Sequence, residues 1–154
     1  MPDLDLATYV GLAAPALNTR VIAGLAERGF PGVKVSHGYV VQRLLDDEPT
    51  VGALAEALAM TQQGASKQVL DLERLGYAER VPVAGDLRAR AVRLTPRGRR
   101  MVEATRELRA EVEREVVART GPDEVDAAKE VLAALVDVLG LREHVDQHTV
   151  PAPE

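Results

Sequence analysis

Five neighbouring side chains carry the most suggestive chemistry in the chain: Thr61, Gln62, Gln63, Ser66 and Lys67. At a helical pitch of about 100° per residue, Gln63, Ser66, Lys67, Leu70 and Arg74 share one side. Ala65, Val69 and Leu72 share the other, and Gln62 falls closer to that apolar side. Amide, hydroxyl and ammonium groups along two helical turns suit nucleic acid. Gln pairs bidentately with adenine, and Lys or Ser reaches guanine or phosphate. A helix start adds free N–H groups and a positive dipole end. A plain solvated helix face would carry similar groups, so this segment does not stand alone.

A second cluster follows at once. Arg80, Arg88, Arg90, Arg93, Arg97, Arg99 and Arg100 lie in one short stretch, accompanied only by Glu79 and Asp86. Arginines on a hairpin tip fit a narrow, electronegative minor groove. Alternation along a strand puts Arg90 and Leu94 on one face, so not every arginine can reach the same groove.

These residues need elements to hold them. Apolar spacing of three and four through Leu6, Val10, Ala13, Leu17, Val21 and Leu25 predicts a helix over 6–28, kinked or restarted near Pro15. Ser36 is the expected N-cap of a helix over 37–46. Thr50 caps a short helix, and Thr61 caps another that runs to Leu75 and stops at Gly76. Two short helices around a tight turn are the helix-turn-helix layout. Residues 77–83 and 90–94 then alternate around turn chemistry at 84–88, which predicts a hairpin with Pro82 on an edge strand. Thr95-Pro96 opens a long helix to about Arg119, with Met101, Leu108, Val112 and Val116 on one side. A last helix over 122–140 carries Val125, Ala128, Leu132, Leu135 and Leu139.

Composition narrows the classes. The chain has 154 residues, 46% hydrophobic and 28% charged, near the globular average. No apolar run is long enough to span a membrane. The start, Met1-Pro2-Asp3-Leu4-Asp5, lacks a secretory pattern, so cytoplasm is the expected compartment. The absence of cysteine excludes disulfides, thiol catalysis and cysteine zinc sites. The net charge of −5 conceals a basic middle: residues 50–100 carry 9 basic and 5 acidic side chains. That asymmetry points to a local anionic partner. No phosphate-binding glycine loop, nucleophile elbow or metalloprotease pair is present, so an enzyme is not expected.

Residues 50–100 resemble the DNA-binding core of the MarR family of winged helix-turn-helix regulators. The carriers are Leu54-Ala55-Glu56-Ala57-Leu58, Met60 through Lys67, and Val69. Leu72-Glu73-Arg74-Leu75-Gly76-Tyr77, Asp86-Leu87-Arg88-Ala89 and Leu94-Thr95-Pro96-Arg97-Gly98 continue the pattern. The flanking helices fit the family in number and order. The resemblance implies a mainly α fold with a small β-wing, a winged helix-turn-helix flanked by dimerisation helices. It divides the chain into a dimerisation helix (1–35), a DNA-binding core (36–96), dimerisation helices (97–142) and a tail (143–154). It implies a homodimeric regulator, most often a repressor, on a palindromic double-stranded operator. A small effector, often phenolic or aromatic, would bind between the dimer and DNA-binding regions. Thr61, Gln62, Gln63, Ser66, Lys67, Arg88 and Arg90 become the expected DNA contacts, with Arg88 inserted in the minor groove and Asp86 orienting arginines. Tyr9, Asn18, His37 and Tyr39 are the expected pocket residues. No cofactor, metal or membrane partner is implied.

Three residues depart from the family pattern. Leu87 stands where a basic residue is common, Gln68 replaces an aliphatic, and Leu70 turns outward. They suit a rival reading, a winged-helix module that binds a protein partner and no longer binds DNA specifically. His144 and His148, with Asp146 between them, have the spacing for a shared metal, but no third ligand is fixed, so a metal-responsive repressor is the weaker rival.

Overall fold

The computed structural model describes residues 4–83 and 85–142, with residues 86–88 as backbone only. Six helices and one antiparallel hairpin follow in the order α1 (Leu6–Glu27), α2 (Val35–Asp46), α3 (Val51–Ala57), α4 (Gln62–Arg74), β1 (Ala78–Val83), β2 (Asp86–Leu94), α5 (Pro96–Thr120) and α6 (Pro122–Val138). The expected fold class, mainly α with a β-wing, is what the chain adopts.

Hydroxyl caps set three of the helix starts. Thr50 accepts the Ala53 N–H at 3.2 Å, Thr61 the Gly64 N–H at 3.0 Å, and Thr95 the Gly98 N–H at 3.0 Å. Each bond satisfies a donor that the helix itself leaves free. Of the two readings at Pro15, a kink or a restart, the restart is excluded, and the start of α2 is corrected. α1 runs through Pro15 as one element, without a restart. α2 starts two residues early, with Lys34 and not Ser36 at its N-cap. The reason is local: the His37 Nδ1, three residues on, accepts the Lys34 N–H at 3.2 Å. The Ser36 hydroxyl is spent elsewhere, donating to the Gln68 Oε1 at 3.3 Å.

The wing also differs from expectation. Its turn is shorter than 84–88: Val83 pairs with Asp86, and Gly85 takes φ 83°, a conformation that glycine adopts without strain. The register then shifts between Pro82 and Val83 before settling to Pro82↔Arg90 and onward to Ala78↔Leu94. Irregular residues therefore occur on the return strand where turn residues were expected. β2 is flanked on its other side by Thr50, through a bridge to Ala91 and a Val92 N–H bond to the Pro49 carbonyl at 2.8 Å. β1 is thus the outer strand, the place where Pro82 is tolerated.

The core gathers Leu25, Val40, Leu54, Val69, Leu72, Tyr77 and Val92, all nearly or fully buried. The Tyr77 hydroxyl donates to the Pro31 carbonyl at 2.8 Å, tying the end of the helix-turn-helix to the α1–α2 loop. α5 passes so close to this point that a Cβ on Gly98 would lie 2.0 Å from the Tyr77 carbonyl oxygen. Arg97 lies over the Phe30 and Tyr77 rings at 5.6 and 5.3 Å and donates to the Gly29 carbonyl at 2.8 Å.

The outer helices behave differently. Of the α1 stripe, only Val21 and Leu25 are buried; Leu6 and Leu17 are exposed. Of the α6 stripe, only Val125 is buried, while Leu132 and Leu139 are exposed at 43% and 60%. Arg20 pairs with Glu115, and Arg28 with Glu107 and Glu111, so α1 is fastened to α5 along its polar edge.

Candidate nucleic-acid interface and ligand cavity

α4 presents its first turns beside the wing, across an open groove of about 830 Å³. Gln62, Gln63, Ser66, Lys67 and Leu70 line it from α4, Arg80, Ala89 and Arg90 from the hairpin, and Thr50, Val51 and Gly52 from the start of α3. The bridge between Thr50 and Ala91 is what holds wing and helix-turn-helix at this spacing. Gln63 and Lys67 are exposed, as their side of the helix wheel requires. Gln62 is exposed too, although the wheel put it closer to the core. It is the first residue of α4, where only one turn of helix shields it. Thr61 is exposed but does not line the groove; its hydroxyl oxygen accepts the cap bond. Leu70 is 40% exposed and faces the groove, as expected.

The arginine cluster separates by role. Arg93 pairs with Glu79 across the hairpin at 2.9 Å, and Arg80 approaches Glu73 at 3.5 Å. Arg97 is held in its aromatic stack. Arg90 reaches the groove, donating to its neighbour's carbonyl at 3.3 Å. Arg99 and Arg100 are exposed on the first turns of α5. The side chains of Asp86, Leu87 and Arg88 lie outside the described residues; their backbone belongs to β2.

A second concavity, about 450 Å³, opens between α1, α2 and α5. Its floor is apolar, built on Val21, Leu25, Val41 and Met101. Asn18 and Tyr39 line it; Tyr9 and His37 do not. Tyr9 sits a helix turn or more away on the exposed part of α1. His37 has 0% exposure, because its Nδ1 is turned back to the Lys34 N–H and its ring is packed toward α4. Burial, and then the Lys34 charge, push its imidazole below the ordinary value of 6.5, while Asp71 pulls the other way. Sequence reasoning missed Lys34, Arg106 and Arg109, three cations on the cavity wall. They come from two distant segments, and no spacing in the sequence connects them.

Among the described residues, no group of three or more His, Asp or Glu side chains is placed to hold a metal. His144, Asp146 and His148 lie outside the described residues. No described helix is long and apolar enough to cross a membrane.

A helix-turn-helix followed directly by a β-hairpin, with flanking helices at both ends, defines the winged helix-turn-helix class. Within that class, residues 32–89 match the MarR family model, a span that holds the motifs from Leu54 to Ala89. Proteins of this family are DNA-binding transcription factors and not enzymes. Solved structures with the same fold include the S. aureus MepR–DNA complex, at 22% identity and TM-score 0.67, with 87% of this chain and 97% of that one covered. The MarR family transcription regulator SP03579 is 25% identical, with TM-score 0.67 and coverage of 88% and 90%. YusO from Bacillus subtilis is 18% identical, with TM-score 0.67 and coverage of 86% and 95%. No curated protein sequence gives a significant match.

Proposed function

We propose that the chain is a ligand-responsive transcriptional regulator, a repressor, that binds a palindromic operator as a homodimer in the cytoplasm. The observation that carries this reading is the groove, where Gln62, Gln63, Ser66 and Lys67 of α4 face Arg90 of the wing. Amides and a hydroxyl suit base edges, and the cations suit phosphates on either side. The fold of a solved MepR–DNA complex supports the same partner. Thr61 sits at the edge of this contact, Arg88 enters the minor groove, and Asp86 orients the arginines.

The dimer rests on the exposed apolar residues of the outer helices. Leu6, Leu12 and Leu17 on α1 and Val131, Leu132, Val138 and Leu139 on α6 remain uncovered in one chain. Such a surface marks an interface more often than a solvated face. Residues 1–35 and 97–142 form the dimerisation region around the core at 36–96; residues 143–154, expected as a tail, lie outside the described residues. The effector, a phenolic or aromatic small molecule, occupies the cavity lined by Asn18 and Tyr39.

One observation favours the rival reading: Leu70 and Val51 put apolar surface in the groove. A partner-binding module would use it. The discriminating experiment is binding to the duplex upstream of the protein's own gene, at two salt concentrations, against a scrambled duplex. Tight, salt-sensitive and sequence-dependent binding supports the regulator. Equal, weak binding to both duplexes supports the module.

A further inference from the structure

The groove between α4 and the wing holds one side chain that its polar chemistry leaves unexplained. Leu70 lines it and stays 40% exposed, on the side of α4 that carries Gln63, Ser66 and Lys67. It stands seven residues beyond Gln63, so two helical turns bring it nearly into line with that amide, about 10 Å further along the axis. Ser66 and Lys67 fall between them, four and three residues before Leu70. Val51 and Ala89, both half-buried, add apolar surface to the same groove. A lone exposed leucine elsewhere on the molecule would need no account. This one shares a face with groups suited to base edges.

Charge decides between occupants of the groove. Lys67, Arg80 and Arg90 line it, and no carboxylate is among the described lining residues. Such a surface suits a polyanionic duplex better than an apolar protein segment. In the major groove the base edges offer one apolar group, the C5 methyl of thymine. Cytosine carries only hydrogen at that carbon. A leucine placed there therefore separates thymine from cytosine without a hydrogen bond.

We propose that Leu70 is a specificity-determining residue of α4, packing its side chain on a thymine C5 methyl in each half of the operator. This rests on the proposed regulator reading and names the base that one side chain selects. With Gln63 on a base edge, the separation of about 10 Å, against a rise of about 3.4 Å per base pair, puts the thymine no more than about three base pairs from that base. The contact carries no charge, so it leaves the salt slope of binding untouched, unlike that of Lys67. The apolar surface that would suit a protein partner is then part of the DNA-reading face.

The test removes the methyl group and nothing else. The full chain selects a duplex from a random library, and each thymine of that duplex is replaced in turn by deoxyuridine, which pairs identically and lacks the methyl. Burial of one methyl is worth about 4-fold in affinity, so one position in each half-site should lose about 4-fold, and both together about 15-fold. In Leu70→Ala those positions should respond by less than about 1.5-fold, while the other thymines keep the parent pattern and the salt slope is unchanged. Leu70→Met, which keeps an apolar side chain of similar volume, should retain the response. Alanine is the best helix former and Leu70 is exposed, so circular dichroism should show both variants folded.

A selected duplex with no deoxyuridine-sensitive thymine overturns the proposal without recourse to any variant. So does a methyl response that persists in Leu70→Ala, whether or not the overall affinity falls. Persistence together with unchanged affinity gives the apolar part of the groove to a protein partner. Should no duplex be preferred over random sequence, the regulator reading fails and this inference with it. A preferred duplex with a flat scan leaves the regulator standing and removes Leu70 alone from base reading.

Discussion

Removing the Lys67 ammonium should change the salt dependence of operator binding, not only its strength. Lys67 is exposed, lines the groove and is engaged by no carboxylate among the described residues. On the proposed docking about six phosphates are neutralised per dimer, and the two copies of Lys67 account for two of them. Each neutralised phosphate contributes about −0.9 to the slope of log affinity against log salt, so the parent slope is about −5. Lys67→Ala removes two of the six and should bring it to about −3.5. Between about 50 and 200 mM salt the parent then loses about 10³ in affinity, and the variant about 10². Fluorescence anisotropy on a labelled operator at four salt concentrations measures both slopes. Circular dichroism should report an unchanged melting temperature, because the side chain packs against nothing in the core. A weaker variant with an unchanged slope would mean that Lys67 reads a base edge. Unchanged affinity and slope together would refute the docking of α4 in the groove.

Three further outcomes follow from the geometry. Gly98→Ala places a methyl group 2.0 Å from the Tyr77 carbonyl oxygen, and overpacking of this kind should cost about 2 kcal/mol or more, read as a lower urea midpoint at constant slope. His37 is depressed chiefly by burial, so its neutral form is the one that the fold favours. Its contribution is present above about pH 6.5 and is lost as the pH falls below that toward the folded-state value, with Lys34 and Asp71 the charged groups facing it. Asp71, bonded to Lys34, is held below its ordinary value and stays ionised throughout that window. Urea unfolding at about pH 7.5 and 5.5 should thus show a larger loss in the parent than in His37→Gln. Finally, Leu132→Glu, on the exposed face of α6, should halve the mass in sedimentation velocity and abolish operator binding without unfolding the monomer. A stable dimer in that variant would remove α6 from the interface.

Signals that act within a few residues were legible in the sequence. A hydroxyl followed three residues later by a free N–H marks a helix start, and Thr50, Thr61 and Thr95 each make that bond. Periodicity placed Ala65, Val69 and Leu72 inside and Gln63 and Lys67 outside, and all five lie so. The groove was therefore readable as a list of residues, though not as a shape. What failed were the choices between equally good local partners. Ser36 and Lys34 both precede an apolar turn, and only the distant Gln68 decides that the Ser36 hydroxyl is not a cap. The seven arginines look alike in sequence. Their roles depend on Glu73, Glu79 and two aromatic rings brought in by the fold.

The same limit explains the outer helices and the departure at Gln68. Spacing of three and four says that a face is apolar, and does not say whether the cover comes from the same chain. Leu25 and Leu132 satisfy one pattern, yet one is buried and the other open. Gln68, read as a flaw in the recognition helix, is the acceptor for Ser36 and part of a seam that also contains Lys34, His37 and Asp71. An aliphatic there would leave the Ser36 hydroxyl without this acceptor, so the reason for a Gln at this position exists only once the fold brings α2 against α4.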